Sequence, residues 1–133
     1  MRQTFNTTKQ LRILVFDHQF FNCLYIERIF NQLGYSRVMP ISRYEGFVRV
    51  IESATVPIGM VLYNVQDCEK HDGGVSFIHN SPYVENFMPY NENDGYVVTG
   101  KDRHSSGLGY SRLPDFFTIR NKMETIEANR LNS

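Results

Sequence analysis

The sequence predicts an α/β fold with a central parallel sheet, and three observations carry that prediction. Leu11 to Phe16 is an almost unbroken apolar run, the pattern of a strand covered on both faces. From Phe20 onward the apolar residues recur every three or four positions, as one face of a helix requires. The two patterns then alternate as strand, helix, strand, helix, strand up to Val65, the order that builds a parallel sheet through right-handed crossovers.

Residues 1–10 lack periodicity and read as a flexible N-terminal arm. The first strand runs into Asp17-His18. The first helix places Cys23, Ile26, Phe30 and Leu33 on one face, and Gly34 stands where a left-handed cap stops it. Ser36 to Ile41 is a short second strand. Ser42-Arg43-Tyr44-Glu45 then spells a capping box, opening a second helix with Phe47, Val50 and Ile51 on its apolar face. Val56-Pro57 closes that helix, because the residue before proline is pushed out of the helical region. Ile58 to Val65 is the third strand.

Beyond it the pattern weakens. Gln66 to Gly74 reads as a polar loop, Val75 to His79 as the start of a helix, and Phe87 to Asn93 as loop or a ragged helix end. Gly95 to Thr99, with Tyr96, Val97 and Val98, is a fourth strand by its β-branched content. In a second register, Gly95 to Lys101 is strand five and strand four lies near Phe87 to Asn91, against which Pro89 counts because proline cannot donate to a ladder. Gly100 to Gly109 is a loop. Pro114 sits in the first turn of a last helix carrying Phe116, Ile119, Met123 and Ile126 on one face. The folded domain thus spans 11–127, with 128–133 as a C-terminal tail.

The totals exclude several classes. With 133 residues the chain suits one domain. Lysine plus arginine and aspartate plus glutamate both number 14, so no overall charge steers it toward nucleic acid or an anionic membrane. No apolar run approaches the roughly 20 residues that span a bilayer, and Met1 to Gln10 is too polar for a secretory leader. Two cysteines, Cys23 and Cys68, make no disulfide framework, which points to a reducing, cytoplasmic setting.

In an open parallel sheet, ligands gather at the carboxyl ends of the strands. That rule collects Asp17 and His18 from strand one, Asn64 from strand three and Thr99 from strand four. Polar residues at strand ends also serve simply to bond loose backbone groups. The run Ile13-Leu14-Val15-Phe16-Asp17-His18, the strand Met60-Val61-Leu62-Tyr63-Asn64, the later Asp72-Gly73, and Thr99-Gly100 after Tyr96-Val97-Val98 resemble the receiver domain of bacterial response regulators over residues 11 to 127.

The resemblance implies a flavodoxin-like three-layer sandwich around the parallel sheet. In that family strand one ends in an acidic pair that holds a divalent ion, strand three in the aspartate that accepts a phosphoryl group, strand four in Thr or Ser, and strand five in Lys-Pro. This chain departs at each key position. Asn64 occupies the acceptor position and lacks the attacking anionic oxygen. His18 replaces the second acid, so too few carboxylates remain for magnesium. The Lys-Pro site is read as Leu113-Pro114, without the cation. The interval from Thr99 to Pro114 is too short for a full fourth helix and a fifth strand, so helix four is expected to be lost or remodelled.

Other patterns lead less far. Gly95 to Lys101 has P-loop spacing but β-prone residues between, with Asp102 in place of the hydroxyl residue. Cys68, His71 and Asp72 fall short of a four-ligand zinc site. Asp17-His18 with Ser105 or Ser106 lacks the nucleophile elbow of a hydrolase. The aromatic residues Tyr83, Phe87, Tyr90 and Tyr110 serve either as core filling or as a binding surface.

The expectation is therefore a pseudo-receiver: a signalling domain of a bacterial two-component or related pathway, not an enzyme, with no cofactor and no metal, its degenerate pocket made of Asp17, His18, Asn64, Thr99 and Leu113. Its implied partners are proteins, namely a histidine kinase, another receiver or an output domain, with a homodimer as a further option. With no output domain in 133 residues, the expected form is a stand-alone adaptor. The alternatives are a small-molecule or nucleotide-binding flavodoxin-like domain using the Gly100 to Gly109 loop, and a phosphorelay member in which Asp17, Asp67 or Asp72 accepts phosphate.

Overall fold

The computed structural model describes residues 7–91 and 113–131. Its strands are β1 (Ile13–Phe16), β2 (Val38–Ile41), β3 (Met60–Asn64) and β4 (Phe87–Tyr90), all parallel and ordered β2-β1-β3-β4. The helices are α1 (Phe20–Gln32), α2 (Tyr44–Glu52), the short α3 (Val65–Glu69) and α4 (Ser76–His79), and α5 (Phe116–Leu131). Among the described residues, no helix is long and apolar enough to cross a membrane.

The unbroken apolar run of β1 has the predicted cause. Ile13 and Val15 pack on one face of the sheet with Cys23, Ile26 and Phe30 of α1 and Ile119, Met123 and Ile126 of α5. Leu14 and Phe16 pack on the other face with Phe47 and Ile51 of α2, Cys68 of α3 and Ile78 of α4. Helices thus cover both faces, and all four residues of β1 are buried.

The end of α1 follows the sequence closely. Gly34 adopts φ +102°, its N–H donates to Asn31 O, and Tyr35 N–H donates to Phe30 O, the paired bonds of a Schellman cap. The Phe30 and Tyr35 rings meet edge to face across it. Thr7–Gln10 form a turn of 3-10 helix, from which Lys9 reaches the Leu33 carbonyl and lies over the Tyr35 ring. The last residues of the expected arm are therefore tied to the domain.

Several expectations are corrected. The capping box is not formed: α2 starts at Tyr44, with Arg43 as an N-cap that makes no side-chain bond. Tertiary packing decides this start, because the Tyr44 ring stacks on His71 with centroids 3.9 Å apart and its hydroxyl donates to Gly74 O. Val65 belongs to α3 and not to the third strand, and residues 66–69 are helix and not loop. Pro114 precedes α5; Asp115 caps that helix by accepting from Thr118 N at 2.8 Å, and the Thr118 amide, then its hydroxyl, hold the Asp115 carboxyl below the ordinary range. That helix continues to Leu131, through much of the expected tail.

The largest correction is β4. Phe87–Tyr90 is a strand and not a loop, as in the second register, and Pro89 does not interrupt it. Asn86 O accepts from Val61 N, so residues of its parity bond to β3, while Pro89 has the opposite parity and owes that ladder no donor. The Gly95 to Thr99 strand, Lys101, the P-loop-like spacing, Ser105 and Ser106, the Gly100 to Gly109 loop and the expected loss of helix four lie outside the described residues.

β3 is entered through a bulge. Gly59 N and Met60 N both donate to Arg12 O, at 2.9 and 3.2 Å. A Cβ on Gly59 would lie 2.6 Å from Leu11 Cδ2 and 2.9 Å from Leu11 Cβ. Because Leu11 is buried and the second contact is at the base of its side chain, Gly59→Ala is expected to cost about 1–3 kcal/mol of stability in urea unfolding.

Candidate functional site

Sheet register builds the site. Phe16 pairs with Tyr63, and Asn64 pairs with Tyr90, so Asp17, Asn64 and Tyr90 form a row across the carboxyl ends of β1, β3 and β4. Strand alternation puts them on the face that also carries Val15 and Leu62, beneath α1 and α5.

Asp17 is completely buried and is the hub of this row. Its Oδ1 accepts from Gln19 N at 2.8 Å. Its Oδ2 accepts from Asn64 Nδ2 at 3.0 Å and from the Tyr90 hydroxyl at 2.5 Å. Burial, reinforced by the bond to Asp17 and its negative charge, pushes the Tyr90 phenol well above its ordinary pKa, so it stays protonated and donates. Asn64 in turn uses its Oδ1 to accept from Asp67 N at 3.1 Å, capping α3. One amide thus joins two elements.

That cap fixes a second buried carboxylate, Asp67. Its Oδ2 accepts from His18 N and lies 2.8 Å from His18 Nδ1. A carboxylate facing a ring nitrogen at that distance assigns the proton to Nδ1. Lys70 Nζ is 3.6 Å from the other oxygen, Asp67 Oδ1. The structure therefore brings together Asp17, His18 and Asn64 from the expected pocket, and adds Tyr90 and Asp67. Leu113 is half-buried against the apolar core beneath α1 and α5. Thr99 lies outside the described residues.

Asp67 had a readable signal: Asn64-Val65-Gln66-Asp67 is an N-cap with an acid three residues later. Tyr90 carries no such signal when Phe87–Tyr90 reads as loop. Of the four aromatic residues with two possible roles, Tyr90 is core, Tyr83 is half-buried, Phe87 is 38% exposed, and Tyr110 lies outside the described residues.

Asp17, His18 and Asp67 offer ligand atoms within 4.8 Å of one another, the spacing of a cation site. Their hydrogen bonds compete with such an ion. Asp17 Oδ2 already accepts two hydrogen bonds, and Asp67 is engaged by His18 and Lys70, so a cation here would have to displace donors that the pocket supplies itself.

Burial holds both cysteines in the thiol form. Cys23 lies beneath the pocket, and burial followed by the charge of Asp17 pushes its thiol up to about 11. Burial pushes Cys68 to about 12, so neither supplies thiolate near neutral pH. Cys68 is enclosed in the core on the α2 side while the exposed His71 stacks on Tyr44, and among the described residues neither belongs to a group of three potential metal ligands.

The exposed side of α1 adjoins the pocket through Gln19. Phe20, Phe21, Leu24 and Tyr25 stand there at 49, 84, 39 and 44% exposure, an apolar strip on the first two turns of the helix. Compared with known protein families, with curated proteins and with solved structures, the chain matches none.

Proposed function

We propose that this chain is a receiver-like domain that has exchanged phosphotransfer for a fixed hydrogen-bond network and works by protein contact. One observation carries the reading: at the end of β3, Asn64 donates its amide to the buried Asp17 carboxylate at 3.0 Å. An acceptor aspartate at that position would have to present an anionic oxygen to phosphorus. The amide has none, and its nitrogen is committed to Asp17.

The strand order and the helices on both faces support the same reading, since a β2-β1-β3-β4 sheet is the first part of the flavodoxin-like order. So does Tyr90. It ends β4, where receivers carry the Thr or Ser hydroxyl that moves inward on phosphorylation, and here the hydroxyl is already bonded to Asp17. A switch needs a ligand that binds one of two states better. This pocket holds its own hydroxyl and amide, so the domain has one resting arrangement, read by a protein partner such as a kinase, a second receiver or an output domain. The apolar strip of α1 gives that partner a surface rich in aromatic residues.

Incubation with a small phosphodonor and magnesium, followed by intact mass measurement, is expected to return unmodified protein. A phosphoryl adduct that survives Asp17→Asn and disappears with Asp67→Asn would overturn the reading.

A further inference from the structure

At the opposite pole, where the strands begin, the chain carries a charge cluster unrelated to the pocket just described. Arg12 precedes β1, Arg37 precedes β2, and Arg130 lies at the end of α5; the three line one recess of about 270 Å³, with Leu11 and Pro57 as apolar lining. The backbone fixes the first two side by side, because Ile13 N donates to Arg37 O at 2.8 Å. Glu85, just before β4, is the one carboxylate lining this recess among the described residues and lies 3.6 Å from Arg130.

Arg130 has local reasons to be there, an ion pair and the negative end of a helix. Arg12 and Arg37 have no ion-pair partner among the described residues, and both are exposed. In a chain with 14 basic and 14 acidic residues, bulk composition does not account for three guanidiniums in one small concavity. Like charges repel, and a bound anion would relieve them. Arg12 and Arg37, neither of them in an ion pair among the described residues, bring two positive charges to the recess, which matches a phosphate monoester of about −1.5 to −2 near neutral pH. The planar donor fork of arginine suits phosphate oxygens, and the recess is below the roughly 300 Å³ at which pockets for whole drug-sized ligands begin.

We propose that Arg12, Arg37 and Arg130 form a binding site for the phosphoryl group of a small phosphorylated molecule at the amino end of the sheet. Glu85 competes for Arg130 and tunes the affinity.

The test titrates inorganic phosphate and then pyrophosphate into the isotope-labelled protein, following amide resonances at constant ionic strength. Saturable shifts confined to Arg12, Arg37, Gly59 and Glu85 are expected. Arg12→Gln and Arg37→Gln should each weaken pyrophosphate about tenfold, the effect of losing one charge-assisted bond, and Glu85→Gln should tighten it several-fold. The exposed positions of both arginines keep the fold intact, which the same spectra verify. Three results would overturn the site: shifts that never saturate, affinity indifferent to both arginine substitutions, or tighter binding of a glutamate-rich peptide than of pyrophosphate at these residues.

Discussion

Asp17→Ala is expected to remove about 3–5 kcal/mol of folding stability, enough to lower the midpoint of thermal unfolding by well over 10 °C in a domain of this size. The side chain is fully buried and accepts from Gln19 N, Asn64 Nδ2 and the Tyr90 hydroxyl. Truncation strands the last two donors inside the protein, and each unsatisfied group costs about 1–3 kcal/mol. Relief of repulsion from Asp67 offsets only a little of this, because Lys70 and His18 already compensate that carboxylate. Two milder changes grade the effect. Tyr90→Phe removes a single bond to a charged acceptor, about 1.5–3 kcal/mol, and Asp17→Asn keeps the shape but turns an amide donor toward a donor. Chemical denaturation monitored by circular dichroism should rank them as Ala, then Asn and Phe. Equal stability of all three with the parent would mean that the network does not hold the carboxyl ends of β1, β3 and β4 together.

The parts of this arrangement legible in the sequence are those set by local pattern. β1 was legible because both of its faces are covered, so four consecutive residues had to be apolar. The stop of α1 was legible because a left-handed residue favours glycine, and Gly34 is that residue. Asp17 against Asn64 followed from the ends of two strands that the alternation made neighbours. What failed depended on partners distant in sequence. Pro89 looked like a strand breaker because parity decides whether a proline harms a ladder, and parity is known only once β4 is aligned on β3. Tyr90 inherits its role from that alignment. Ser42 offered a good cap, yet the Tyr44 ring found Phe16, His71 and Phe77, and packing set the start of α2. The arginine recess was invisible for the same reason, since its charged residues come from four separate segments that only the fold brings together.

Asn64→Asp separates a pocket that merely lacks a nucleophile from one held together by its amide, and its expected result is loss of stability at neutral pH. The substitution is isosteric, so packing is unchanged. It replaces a donor 3.0 Å from Asp17 Oδ2 with an acceptor, setting a second negative oxygen against a buried carboxylate that already has Asp67 nearby. Unpaired buried charge of this kind costs about 3–5 kcal/mol. The pair answers by retaining a proton that the unfolded chain releases in the ordinary range, near 3.9 for aspartate. The folded state then binds more protons than the unfolded one, so the stability of the variant falls as pH rises through the pair's titration and recovers as pH is lowered. Magnesium gives the second reading. With three carboxylates in one pocket, a divalent cation replaces the missing donor, and millimolar magnesium should raise the unfolding temperature of the variant while leaving the parent unchanged. An Asn64→Asp protein as stable as the parent at neutral pH, and indifferent to both acid and magnesium, would show that the amide does not face Asp17, and the receiver-like reading would lose its main support.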